Sequence, residues 1–125
     1  MIKKFPSIVL FLFFSETFLF AKSNFFQEGV SLFEINKLEA AKFKFEKDIV
    51  FNPKSEQSYL YLSKIFNKQD KKKLEEQNLK TVMLLNPQNE EAIYYLAKLK
   101  LKSSDYKKSK ELNDRLISIC KNFCG

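Results

Sequence analysis

The sequence predicts an all-α protein in which antiparallel helix-turn-helix pairs stack into a short α-solenoid of about three repeats. Three observations lead there. Apolar residues recur at spacings of three and four, the period of a helix face, and strand-like alternation is absent over any useful length. Phe51-Asn52-Pro53 and Leu85-Asn86-Pro87 share an apolar-Asn-Pro signature, with the prolines 87 − 53 = 34 residues apart. Only 2 glycines and 3 prolines occur among 125 residues, which suits long helices and few turns.

A shift of 34 aligns more than the prolines. Phe25, Tyr59 and Ile93 fall in register and are all large; Gly29, Ser63 and Ala97 fall in register and are all small. Small residues there let the two helices of a pair approach closely. Phe45 and Leu79 align as apolar residues, and Ser55 and Asn89 align as good helix N-caps. Taken in order, Phe25, Val30, Leu32 and Phe33 give the first apolar face, and Leu38, Ala41, Phe45 and Ile49 the second. Tyr59, Leu62, Ile65 and Phe66 form the third; Leu79, Val82 and Met83 the fourth; Ile93, Tyr95, Leu96 and Leu99 the fifth; Leu112, Leu116 and Ile119 the sixth. Breaks are expected at 36–37, 67–70, 86–89 and 102–105, with Asp70 and Ser104 as caps for the helices that follow. The prolines end the second helices, because a proline cannot continue the backbone ladder.

Residues 1–21 stand apart. Met1-Ile2-Lys3-Lys4 is a basic start and residues 5–14 are almost wholly apolar; Glu16 interrupts the run, which resumes at Phe18 and ends at Ala21. A positive end before a short apolar stretch is what export needs, so residues 1–21 read as a signal peptide or an N-terminal membrane anchor. Residues 22–125 are then the helical domain, with repeats at about 22–55, 56–89 and 90–123. The expected location is the periplasm or cell envelope, with inner-membrane anchoring as the alternative to cleavage. Setting aside Lys3, Lys4 and Glu16 from 22 Lys+Arg and 15 Asp+Glu leaves 20 and 14, a net of +6. Export argues against nucleic acid as the target of that charge, and a solvated lysine-rich surface is the plainer reading.

The 34-residue period, the large-x-x-apolar-small pattern of each first helix and the proline closing the second resemble the tetratricopeptide repeat. The resemblance covers residues 22–122. It rests most firmly on Tyr59, Leu62, Ser63, Phe66, Leu79, Val82 and Pro87 in the middle unit. It departs from the family at Glu28, at Glu75 and Ser109 where small residues are usual, at Lys100 and Asn113, and at Lys121 where a third proline would fall. The resemblance implies a concave groove lined by the first helix of each pair, which holds a peptide or a partner helix. Carried over residue by residue, that groove has Phe26, Val30 and Phe33 from the first unit; Leu60, Lys64 and Asn67 with Lys68 from the second; and Tyr94, Lys98 and Leu101 with Lys102 from the third. Core packing for the aromatic residues and plain solvation for the lysines are the competing readings. A protein or peptide partner with an apolar anchor and acidic groups would suit this surface. Some members of the family clamp a chaperone's C-terminal carboxylate, but Phe26 and Val30 occupy the places where that clamp has Lys and Asn, so this chain lacks it.

Catalysis finds no support. There is no histidine and no glycine-rich phosphate loop, and the neighbouring pairs Glu75-Glu76 and Glu90-Glu91 point in different directions on a helix. No cofactor or metal is expected. Cys120 and Cys124 are the only cysteines, and an even count in an exported chain suggests a disulfide. A thiol-redox or electron-transfer accessory using that pair is the alternative to a binding scaffold, and an anchored assembly-factor subunit is a third reading. The chain ends soon after the sixth helix without a polar capping helix, so self-association through the last helix is expected to be open to it.

Overall fold

Six helices and five tight turns account for nearly all of residues 24–121, which a computed structural model describes. The expected leader at 1–21 lies outside the described residues, as does Cys124. The helices are α1 Phe25–Glu34, α2 Leu38–Phe51, α3 Glu56–Lys68, α4 Lys72–Leu85, α5 Glu90–Lys102 and α6 Tyr106–Ile119. Each packs on the next in sequence, and the pairs α1/α2, α3/α4 and α5/α6 are the closest associations. Among the described residues there is no strand.

The turns alternate between two designs, one for each edge of the array. After α2 and α4, Pro53 and Pro87 stop the helix, and the N–H groups of Ser55 and Asn89 donate to the carbonyls of Asn52 and Asn86 at 3.0 and 3.1 Å. Asn89 caps α5 by accepting from Ala92 N–H at 2.9 Å. Ser55 sits at the cap position of α3, but its hydroxyl turns to Ser58 Oγ at 3.1 Å instead. The other edge has a helix ending that the sequence hides. Asn36, Asp70 and Ser104 adopt left-handed backbone, with φ of 60°, 53° and 62°. The residues after them send N–H groups back to the carbonyls of Leu32, Phe66 and Lys100 at 2.9 Å in each case. That six-to-one closure satisfies carbonyls that the helix end would orphan, and glycine usually serves it. Asp70 and Ser104 are therefore helix terminators and not the caps expected of them; Asp105 caps α6 by accepting from Lys108 N–H at 3.1 Å. The break expected from residue 67 also starts late, since α3 continues to Lys68.

Lys121 stands where a third proline would fall, and the structure gives a reason. Its backbone N–H donates to Glu90 Oε1 at 2.8 Å, tying the end of α6 to the first turn of α5. A proline has no such donor.

The core is two clusters that meet on α3. Ala41 and Phe45 pack with Leu62, Ile65 and Phe66 and the half-buried faces of α1 and α2. Leu60 joins Leu79, Val82, Ile93, Leu96 and Leu112 in the second cluster. Gly29 is required by close approach: a Cβ there would meet the Phe45 ring at 2.7 Å. Ser58, fully buried, donates to Asp48 Oδ2 at 2.6 Å and gives the α2–α3 junction one satisfied polar contact.

Candidate functional site

The first helices of the three pairs are joined side to side by rings and charges. Tyr61 on α3 meets Phe26 and Phe33 of α1 in T-shaped contacts, at centroid distances of 5.7 and 5.3 Å, and stacks on Phe45 at 5.0 Å. The Lys64 ammonium lies 4.7 Å from the Tyr61 ring and 5.8 Å from the Tyr95 ring, and pairs with Glu91 of α5 at 2.6 Å. This cation bridges α3 to α5 while covering aromatic faces that would otherwise meet water. The Lys68 ammonium lies 5.4 Å from the Phe33 ring and does the same toward α1.

Between these side chains is a cavity of about 260 Å³ lined by Phe33, Ser63, Lys64, Asn67, Lys68, Glu75 and Tyr95. Glu75 supplies its unusual chemistry. It projects from the first turn of α4, at the place where the repeat pattern expects a small residue, and is only 3% exposed. Asn67 Nδ2 donates to its Oε1 at 3.0 Å. Burial holds the Glu75 carboxyl above the ordinary carboxylate value, against the Asn67 hydrogen bond and the charge of Lys102, which pull it down.

That shift sets a direction for stability. The folded protein holds the Glu75 proton more tightly than the unfolded chain, so the carboxyl contributes stability below the unfolded value that is lost as pH rises through the raised one. Glu75→Gln keeps an acceptor for Asn67 and removes the charge. At pH 7 the variant is expected to be more stable than the parent by about 1–2 kcal/mol, the scale of one poorly compensated buried polar group. The gap should close toward pH 4 in urea titrations of the two proteins; an equal gap at both pH values would mean that the charge is not its source.

The eleven residues expected to line the groove divide. Phe33, Lys64, Asn67 and Lys68 share the cavity above, with Phe26 and Val30 half-buried on α1 beside Tyr61 and the Phe45 cluster. Tyr94, Lys98 and Leu101 line a second cavity of about 500 Å³ between α5 and α6, where the Lys98 ammonium lies 5.9 Å from the Tyr94 ring. Lys102 is exposed near Glu75. Leu60 is 1% exposed and packs in the core, so its side chain faces no cavity here. Ser63, Glu75 and Tyr95 were not read as groove residues. Glu75 had a visible signal, the carboxylate in a small-residue position; Tyr95 had none beyond its neighbour Tyr94. A third cavity, of about 430 Å³, opens between α4 and α6 around Leu84, Met83, Leu112 and Arg115. Cys120, half-buried at the end of α6, has its sulfur in a disulfide and 3.7 Å from Glu90 Oε2.

The first TPR of Spaghetti (RPAP3), in a structure with a bound HSP90 peptide, SRMEEVD, superimposes with a TM-score of 0.74 at 14% identity, over 80% of this chain and 79% of that one. The chain has the tetratricopeptide-repeat fold. MamA is similar as well, with a TM-score of 0.73 at 22% identity over 79% of this chain and 58% of its own, so the chain spans little more than half of MamA. No family's sequence model matches the chain, and no curated protein does. At these identities the tetratricopeptide-repeat structures share its architecture and little of its surface.

Proposed function

We propose that the chain is a non-catalytic interaction scaffold of the cell envelope that holds an extended peptide or a helix of a partner protein against α1, α3 and α5. The observation that carries this reading is the cavity of Phe33, Lys64, Asn67, Lys68 and Tyr95, where three first helices present aromatic faces and cations together around the buried Glu75 of α4. A tetratricopeptide-repeat array of the same architecture was solved with a peptide carrying three acidic residues, which favours an acidic ligand for a lysine-edged face. Phe26 and Val30 leave no carboxylate clamp, so a free C-terminus is not what the site reads. Tyr94, Lys98, Leu101 and Lys102 extend the surface, and Leu60 supports it from beneath. Export follows from residues 1–21, with a cut after Ala21 or retention as an anchor. The Cys120 sulfur is in a disulfide and Cys124 is the one other cysteine of the sequence, so a structural bridge is favoured here over a thiol-redox accessory.

Photo-crosslinking in the envelope fraction tests the reading. A crosslinker at Lys68 or Tyr94 should give a discrete partner band, and Lys64→Glu should abolish it without loss of helicity. One at Lys54, in the exposed proline turn after α2 at the other end of the helices, should not. Bands of equal strength at all three positions, or none at Lys68 and Tyr94, would sink it.

A further inference from the structure

Each helical pair offers the next helix a seat, and two of the three seats are filled within the array. In the first, Tyr61 of α3 packs on Phe26 and Phe33 of α1 and on Phe45 of α2. In the second, Tyr95 of α5, 95 − 61 = 34 residues on, packs against the cluster of Leu60 and Leu79. Two ion pairs fix that joint: Lys64 of α3 with Glu91 of α5 at 2.6 Å, and Glu76 of α4 with Lys100 of α5 at 2.9 Å. The third seat, between α5 and α6, is the cavity of about 500 Å³. Its lining carries the same register on by 34. Tyr94 stands for Phe26 and Leu60, Lys98 for Val30 and Lys64, and Leu101 for Phe33 and Asn67. On α6, Lys110 stands for Lys42 and Glu76, and Asn113 for Phe45 and Leu79.

This third seat is open. Phe45 and Leu79 have no exposed surface, whereas Asn113 is exposed, Tyr94 is 38% exposed and Leu101 is 55% exposed. Apolar walls at Tyr94 and Leu101 match the first seat, and the cation at Lys98 matches the second. A stacked array buries apolar surface only between neighbours, so such a face is stabilised by one more helix. The filled second joint sets the chemistry of that helix: it brings an acid to Lys64 and, four residues later, a ring to the cluster. Among the described residues Lys98 makes no ion pair, and its ammonium lies 5.9 Å from the Tyr94 ring. A carboxylate four residues before a ring complements it. Lys110 replaces Glu76, so the charge it complements is the reverse of Lys100. Its bond to Asp114 at 2.7 Å is an exposed pair within one helix, which holds it weakly.

A second copy of the chain is a poor occupant. At the other end of the array Gln27 stands at the register of Tyr61 and Tyr95, beside Asn24, Glu28 and Ser31, and all four are exposed. Copies stacked end to end would bring Gln27 to the place where the filled seats take a ring. Copies set face to face would oppose Lys98 and Lys110 to themselves.

We propose that the face between α5 and α6 is a docking seat for an amphipathic helix of a partner protein, one that carries an acid four residues before an aromatic and a second acid five residues after it. The first acid meets Lys98, the ring packs on Tyr94 and Leu101 above Asn113, and the second acid meets Lys110. The seat goes beyond the peptide cavity around Glu75, and its α6 wall is no part of the face of α1, α3 and α5.

The fifth helix supplies the probe. Residues 89–102, made as a stapled helical peptide with Lys100→Glu and a fluorophore, carry Glu91, Tyr95 and an acid at the third point. Titrated with the full-length protein, this peptide should bind saturably at concentrations on the order of micromolar, read by anisotropy. Lys98→Glu in the protein should weaken binding by about tenfold or more, and Glu91→Lys in the peptide should restore it to that variant. A peptide that retains Lys100 should bind the parent less well than it binds Lys110→Glu. Both protein variants change exposed positions, and circular dichroism establishes that each is folded. No saturable binding, or an affinity indifferent to both charge exchanges, would overturn the proposal. Binding lost with Lys64→Glu but kept with Lys98→Glu would place the peptide in the Glu75 cavity, overturning the seat and leaving the cavity reading intact. A doubled sedimentation mass of the protein alone, returned to one chain by Lys98→Glu, would assign the seat to a second copy and overturn the proposal as well.

Discussion

Phe45→Ala should unfold the first helical pair at a denaturant concentration where α3 to α6 remain folded. Phe45 has no exposed surface. Its ring stacks on Tyr61 at 5.0 Å, meets Phe26 at 5.9 Å and fills the space left by the missing side chain of Gly29. Truncation removes all three contacts and leaves a cavity whose walls come from three helices, at a cost of about 3–5 kcal/mol. That loss is a large share of an ordinary domain's total stability of about 5–15 kcal/mol. It falls on one end of the array, because the cluster around Phe45 draws only on α1, α2 and one face of α3. In a solenoid each unit is stabilised by its neighbours alone, so damage at an end need not travel. Amide exchange resolved by helix should show α1 and α2 losing protection while α5 and α6 keep it. Uniform loss across all six helices would mean that the array unfolds as one unit.

The helical pairs were legible because their causes are local. Pro53 and Pro87 mark one kind of turn by removing an N–H, and Phe45 and Leu79, paired by the 34-residue shift, are both fully buried. The opposite turns were misread because their cause is a backbone state and not a residue type. Asn36, Asp70 and Ser104 also lie 34 apart, yet none is the glycine that usually marks a left-handed terminator. The site was less legible than the fold. Phe26, Leu60 and Tyr94 share one register position, but an array with ends gives that position three environments. Leu60, on the middle pair, is enclosed by the second cluster, while Tyr94, on the last pair, stays exposed. The Lys64–Glu91 pair joins residues 91 − 64 = 27 apart on different helices, a separation that no helical pattern signals. Glu75 drew notice as a departure, but only the packing of α4 against α3 determines that a carboxylate there is buried.

Leu79→Ala is expected to cost about 2–5 kcal/mol and, unlike Phe45→Ala, to lower the stability of the whole array in a single transition. Leu79 is the register equivalent of Phe45 and is equally buried, but it belongs to the middle pair. Its cluster spans α3, α4, α5 and α6, through Leu60, Val82, Ile93 and Leu112. Loosening α4 weakens the middle pair, which meets the first pair through α3 and the last through α4, and neither end pair alone can bury its apolar face. Cooperative loss is then the expected route, and at about 4–8 °C per kcal/mol for a domain of this size the melting temperature should fall by roughly 10–40 °C. The two variants should also separate at the cavity. Phe45→Ala disturbs the Phe33 wall from α1, whereas Leu79→Ala dislodges the helix that carries Glu75 and the packing that aligns α3 with α5. Crosslinking from Lys68 should therefore survive Phe45→Ala in weakened form at temperatures where Leu79→Ala abolishes it. If Leu79→Ala instead gave an early, resolved transition confined to one pair, the middle unit would not be the keystone that its contacts with both neighbours make it.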